Sequence, residues 1–428
     1  MADPASVDRP VSRGSLTIAA FSTIVEWYDF TLYLYFATVL SRVFFGPGAG
    51  SLIATLGGFA VAYLMRPLGA IAFGHIGDRH GRRPMIVLSV AVMTGAMLAI
   101  ALLPTHAQIG PAAGWLLIAL RCVMGFAVGG EYTGVVAYLL EGSRPERRGL
   151  VTSLAAAASE VGGLLAVAAS AITVALLSGT DLDRWGWRIP FFFGAALAAT
   201  VWIARSAMEE SPDFERQRTA GTIPASPLRH TLRHQRKGIA RAFTISALGS
   251  ITYYVGIGYV PAFLTSVGKL GESRALWLSV AAAVMVVAVT PIFGLLSDRF
   301  GRKPVIIGLS IASAVLPITM FSLMASGSPA EALIGALVLA TVAGGVSAVG
   351  AVATAEQFDG PGRLSGLALG TTGATAIFGG LTPYVAQTLI AKTGVPTVPG
   401  IMIVLVALLA LPLLWRIPET APRKLSSP

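Results

Sequence analysis

One cysteine in 428 residues, five scattered histidines and no asparagine at all exclude several classes of protein at the outset. A lone Cys122 forms neither an internal disulfide framework nor a CxxC metal site. Without asparagine there is no N-glycosylation sequon. The histidines show no zinc-like spacing, so neither a metal nor a cofactor is expected. Charged residues are scarce too, at 12%, about half their usual share in a soluble domain. The polar N-terminal stretch lacks a short apolar core followed by a cleavage site, so the first apolar segment is expected to be a retained span.

Apolar surface is what the chain has in excess. Hydrophobic residues make up 54% and the mean hydropathy is +0.73. A water-soluble protein of this length could not hide so much of it, so most must face lipid. The net charge of +10 does not read as nucleic-acid binding. Its basic residues sit in short loops and one central linker, with no basic stripe interleaved with aromatics.

Runs long enough to cross roughly 30 Å of hydrocarbon as helices cover 16–45, 51–76, 84–103, 112–141, 149–178 and 188–206. After a break come 241–267, 274–297, 304–325, 330–357, 364–391 and 398–416. They are too long and too unalternating for barrel strands. The expectation is an all-α membrane protein of about twelve spans: a six-helix bundle in 1–206, a linker in 207–240, and a second bundle in 241–428. The linker carries Arg216, Arg218, Arg229, Arg233, Arg236 and Lys237. Arg79, Arg82, Arg83, Arg144, Arg147, Arg148, Arg299, Arg302, Lys303 and Arg363 fall in alternate loops on the linker's side. The positive-inside argument puts that side, and both termini, in the cytoplasm.

The halves repeat one another. Gly74-His-Ile-Gly-Asp-Arg-His-Gly-Arg-Arg-Pro84 returns as Gly294-Leu-Leu-Ser-Asp-Arg-Phe-Gly-Arg-Lys-Pro304, displaced by 294 − 74 = 220 residues. Glu141 and Arg148 are mirrored by Glu356 and Arg363, displaced by 356 − 141 = 215. Duplicated halves of membrane spans are the signature of a secondary transporter. Asp78 is placed to pair with Arg82 or with a neighbouring helix N-terminus, and Asp298 and Arg302 repeat it; Glu141 and Arg148 are natural partners. Exposed pairs stabilise little individually, but a network present in one state only biases a two-state equilibrium. Gating and static topology are both open for these residues.

Charge within the spans is rarer. Glu26 and Asp29 lie one turn apart and share a helix face. Ionised carboxylates inside an apolar span must be neutralised, paired or hydrated, so the two are candidates for carrying a proton, as are Glu131 and Glu160. Arg66, eight residues before Gly74, sits roughly 12 Å into the membrane at 1.5 Å per residue. Arg121 keeps its charge and needs a carboxylate partner or an anionic ligand. Both arginines are candidates for a substrate carboxylate; the alternative is structural pairing with Glu131 or with helix ends. Tyr28, Tyr253 and Tyr254 can offer hydroxyls to a polar ligand. So can Thr375 and the backbone around Gly379 and Gly380, where the glycines and Pro383 are expected to loosen the helix.

The duplicated loop resembles the signature loop of the major facilitator superfamily. Glu26-Trp-Tyr-Asp-Phe30, Arg66-Pro-Leu-Gly69, Gly129-Gly-Glu131 and Gly186-Trp-Arg-Ile-Pro190 together resemble its metabolite–proton symporter branch. The stretch Ala374-Thr-Ala-Ile-Phe-Gly-Gly-Leu-Thr-Pro383 is similar to the matching helix of citrate–proton symporters. The resemblance implies two six-helix bundles, a central cavity and rocking alternating access. Glu160 departs from the citrate-type pattern, which carries amides there, and Met124 stands where glutamine is commoner.

These observations favour a proton-coupled importer of a small organic anion, a di- or tricarboxylate such as citrate, working as a monomer in the inner membrane. Alternatives are a zwitterion such as proline or betaine, an aromatic or other monocarboxylic acid, and a drug exporter. The exporter usually carries a Gly-Pro motif where Glu160-Val-Gly-Gly163 has no proline. The aromatics read as scattered, without an acid-plus-aromatic cage, which counts against a quaternary ammonium ligand. No phosphate-cradling loop, metal cluster or GxSxG elbow marks an enzyme.

Overall fold

In lipid the backbone must satisfy its own hydrogen bonds, so long apolar runs close into helices. The computed structural model describes residues 13–48, 50–80, 82–129, 145–206, 235–358 and 363–421, leaving aside the side chains of residues 13–20, 74–80, 82–84, 86, 206 and 363–365. Among the described residues there are helices and no strands. In the first half run α1 (Arg13–Tyr35), α2 (Ala37–Phe45), α3 (Ser51–His80), α4 (Arg82–Leu102), α5 (Ala112–Ala127), α6 (Arg148–Leu176) and α7 (Arg188–Ser206). The second half comprises α8 (Arg236–Tyr253), α9 (Val260–Ser266), α10 (Glu272–Phe300), α11 (Arg302–Val315), α12 (Pro317–Ala325), α13 (Pro329–Ala355), α14 (Arg363–Ala374), α15 (Thr382–Thr393) and α16 (Val398–Trp415). The expected linker lies almost wholly outside the described residues.

Several of these helices are pieces of one span. Phe36 separates α1 from α2, yet its N–H still reaches Leu32 O and its carbonyl still accepts from Leu40 N. A wider π-helical turn, Tyr254–Gly258, joins α8 to α9, and Pro261 then begins α9 with a bend of 45°. A second π turn, Thr375–Gly380, joins α14 to α15, which carries Pro383 at its start. Proline lacks the N–H that would close the preceding turn, so the expected loosening at Gly379–Pro383 takes this form. Pro317 likewise breaks α11 from α12 at 44°.

Among the described residues six helices are individually long and apolar enough to span, and the two bent pairs bring the number to eight. The other expected spans are described only in part or are interrupted. Within the described residues the third and fourth are apolar over Val87–Leu102 and Ala112–Ala127, the rest of the fourth lies outside them, and the eleventh is interrupted. The twelve spans form two pseudo-symmetric six-helix bundles. Large apolar side chains such as Leu176, Leu409 and Trp115 stand outward, more than 70% exposed. That is the inverse of a water-soluble surface.

The duplicated segment is shorter as a loop than the apolar runs ending at 76 and 297 implied. α3 continues as helix through Asp78 to His80, and α10 runs through Asp298 to Phe300 before Gly301 alone turns the chain. Gly301 has φ +101°, a region that a side chain makes costly. Close to this point the bundles touch: a Cβ at Gly149 on α6 would lie 2.7 Å from Gly294 O on α10. Small residues let membrane helices approach backbone to backbone.

Candidate substrate-binding cavity

Where the halves face each other, they enclose a cavity of about 180 Å³. Glu26 and Trp27 reach it from α1, Arg66 from α3, Ser159 and Glu160 from α6, and Ser347 from α13. Ser250, Tyr253, Tyr254, Thr371, Thr372 and Thr375 close it from the seventh and eleventh spans. Two of these contacts cross between the halves. The Ser347 hydroxyl donates to Glu160 Oε1 at 3.1 Å, and the hydroxyls of Tyr63 and Tyr254 meet at 2.6 Å.

The acids of α1 are handled differently, although they share a helix face. Glu26 faces the cavity and pairs with Arg66 Nη2 at 3.4 Å. The Arg66 guanidinium lies over the Phe30 ring at 3.9 Å and the Tyr63 ring at 4.7 Å. Asp29 pairs instead with Arg121 Nη1 at 3.0 Å, and both side chains are 1% exposed. Neither lines the cavity. Phe30 stands between the two pairs, with the Arg121 guanidinium 5.6 Å from its ring. Asp29 Oδ1, Arg121 Nε and Arg66 Nε have no hydrogen-bond partner among the described residues. A buried ion pair with unused polar atoms is costly to keep and is suited to changing partners. Sequence spacing offered Glu131 to Arg121; folding brings it Asp29 from 92 residues away, and Glu131 lies outside the described residues.

The aromatics are not scattered. Trp27 and Tyr253 meet edge-to-face with centroids 5.7 Å apart, Trp27 and Tyr254 lie at 6.5 Å, and the two tyrosines at 5.6 Å. This cluster lines the same cavity as Glu26 and Glu160. The acid-plus-aromatic arrangement that seemed absent is therefore present. Its members come from two halves of the chain, which no local spacing reveals. Trp27 escaped notice as a site residue although it sits between two residues that did not.

Other expected ligand contacts find different work. The Tyr28 hydroxyl donates to Pro190 O at 2.7 Å and the side chain is fully buried. Gly379 and Gly380 make room for Tyr254 and Tyr63: a Cβ at Gly379 would meet the Tyr254 ring at 2.8 Å, and one at Gly380 the Tyr63 Cβ at 2.3 Å. These three residues do not line the cavity, whereas Thr375 does, and its hydroxyl accepts from Ser250 at 3.1 Å.

At the repeated motif, Asp298 does both things anticipated for its counterpart. It accepts from Arg302 Nη1 at 2.7 Å and from the backbone N–H of Gly149 and Leu150, each at 2.8 Å. Glu356 pairs with Arg302 at 3.3 Å and accepts from Thr420. Glu419, which sequence reasoning passed over, caps the start of α11 through Arg302 N and Lys303 N. Arg148 Nε has no partner among the described residues. Glu141 and the side chains of Asp78, Arg82 and Arg363 lie outside them. On the opposite face Arg42 joins Asp183 of its own half to Glu272 of the other.

Two bundles, a cavity lined by both and a charged contact at the repeated motif fit a transporter. Family models agree. "Sugar (and other) transporter" matches residues 15–225 and "Major Facilitator Superfamily" matches residues 269–428. The chain is 31% identical over 421 residues, 96% of its length and 84% of the other's, to the glycine betaine/proline/ectoine/pipecolic acid transporter OusA of Dickeya dadantii. The chain belongs to the major facilitator superfamily. It is also 29% identical to the citrate-proton symporter of Klebsiella pneumoniae over 90% of this chain and 87% of that one. The superfamily fold is seen in the partially occluded inward open xylose transporter XylE from E. coli. That structure matches with a TM-score of 0.74 at 19% identity, over 96% of this chain and 99% of XylE. As a member of the superfamily the chain is a multi-pass membrane transporter and not an enzyme.

Proposed function

We propose that the protein is a proton-coupled symporter of a small zwitterion of the proline and betaine kind, working by alternating access. One observation carries this reading. Among the described residues, a single cavity of about 180 Å³ holds one arginine, two carboxylates and three aromatic faces. Arg66 is suited to a carboxylate, and aromatic faces beside an acid are suited to a positively charged nitrogen. The volume is below the range of drug-sized sites. The likeness to a glycine betaine and proline transporter supports the same ligand class.

A tricarboxylate fits this lining less well. Among the described residues Arg66 is the only arginine or lysine lining the cavity, and Arg121 is paired elsewhere with Asp29. The likeness to a citrate symporter keeps the organic-anion reading as the second choice. In either case Asp29, held by Arg121, is the natural proton carrier, with Glu26 beside the ligand. The bundles of 1–206 and 241–428 rock about the cavity in a monomer. The termini face the cytoplasm of a cell whose inner membrane holds the protein.

Proteoliposomes with an imposed pH gradient test the reading. Proline or glycine betaine should accumulate and citrate should not. Gradient-driven accumulation of citrate alone would overturn the zwitterion assignment, and uptake indifferent to the gradient would overturn proton coupling.

A further inference from the structure

Of the two acids that face the cavity among the described residues, Glu26 has an arginine and Glu160 does not. Glu160 is 5% exposed and takes the Ser347 hydroxyl at 3.1 Å. Among the described residues no lysine or arginine pairs with it. Holding a carboxylate that deep in a membrane without a counter-charge is costly, and such residues mark sites of function. The surroundings point to what is missing. Trp27, Tyr253 and Tyr254 line the same cavity, and the position next to Glu160's turn is cut away for one of them: a Cβ at Gly163 would stand 3.1 Å from the Tyr253 hydroxyl. Arg66, the one cation lining the cavity among the described residues, is engaged by Glu26 and by two rings.

We infer that Glu160, flanked by Trp27, Tyr253 and Tyr254, is the specificity-determining residue of the cavity, supplying the counter-charge for a positively charged nitrogen on the ligand. The inference rests on the zwitterion reading and goes beyond it by assigning selectivity to one side chain. Ser347 holds Glu160 from the opposite half, so the cationic end of the ligand binds where the halves are joined. A carboxylate ligand without the charged nitrogen leaves Glu160 uncompensated and is rejected for that reason.

Two isosteric probes isolate the charge: glycine betaine and tert-butylacetate, which replaces the quaternary nitrogen with carbon. Their affinities are measured by titration calorimetry on the purified full-length protein. The wild type should prefer glycine betaine by roughly tenfold or more, the range of a charge-assisted contact with aromatic faces added. Glu160→Gln should bring the ratio close to one by weakening glycine betaine alone, the retained tert-butylacetate binding showing an intact cavity. A ratio unchanged in Glu160→Gln overturns the inference and leaves the zwitterion reading standing. If the wild type binds neither probe nor proline, both fail together. Should Glu160→Gln bind neither probe, Glu160→Asp decides: a preserved preference supports the inference and a ratio of one overturns it.

Discussion

Asp298 at the end of α10 accepts a hydrogen bond from the backbone N–H of Gly149 at 2.8 Å, with Leu150 N on its other oxygen at 2.8 Å. The carboxylate of one half thus seats on the N-terminus of a helix of the other, where unpaired N–H groups and the helix dipole favour a negative charge.

Asp298→Asn should weaken that seat. Loss of the charge is worth about 1–2 kcal/mol, roughly a five- to thirtyfold change in the ratio of closed to open states on this face. Thr354 lines the cavity two residues from Glu356, which joins the same cluster through Arg302. A cysteine at Thr354 in a Cys122→Ser background should therefore react faster with a maleimide in the variant. Equal labelling rates would show that the contact does not hold this face shut.

Removing one member of the Asp29–Arg121 pair leaves an uncompensated charge among side chains 1% exposed. Asp29→Asn alone or Arg121→Gln alone should cost about 3–5 kcal/mol, and the double variant less than either. All three should lose gradient-driven accumulation, while folded protein retains ligand counterflow. Thermal unfolding and transport read the two effects separately, and additive losses in the double variant would refute the coupling.

Gly380→Ala places a Cβ 2.3 Å from Tyr63. The Tyr63 ring must then shift, disturbing its hydroxyl contact with Tyr254, at about 1–3 kcal/mol. Gly373→Ala is the control, since its nearest neighbour is Phe243 at 3.9 Å. That variant should unfold at the wild-type temperature or above, because alanine favours the helix. Equal tolerance of both would contradict the tight packing at the eleventh span.

The Arg42–Asp183–Glu272 contact joins the halves at the other face but is open to solvent, with side chains 24–41% exposed. Arg42→Gln should therefore lower stability by no more than about 1 kcal/mol, and the difference should shrink as salt is raised. A loss that persists in high salt would mean that the triad is more sheltered than it looks.

Periodicity and composition carried the helices well, since most observed ends fall within a few residues of the apolar runs. Lipid enforces this: a segment that cannot pair its backbone with water must pair it with itself. The repeat at Gly74 and Gly294 likewise announced two related halves, and Gly379, Gly380 and Pro383 announced an interruption, because proline withholds a donor. Glu26, Asp29, Arg66, Arg121 and Glu160 were legible as candidates, for charge in an apolar span is conspicuous. Their division of labour was not. Arg66 comes to Glu26 from 40 residues away and Arg121 to Asp29 from 92. Ser347 reaches Glu160 from 187, and Trp27 finds its two tyrosines across the bundle interface. Local chemistry along the chain decided where helices form and where charge is buried. Only the packing of helices within and between the bundles decided which charge faces the cavity, because a pair's meeting depends on how whole helices cross.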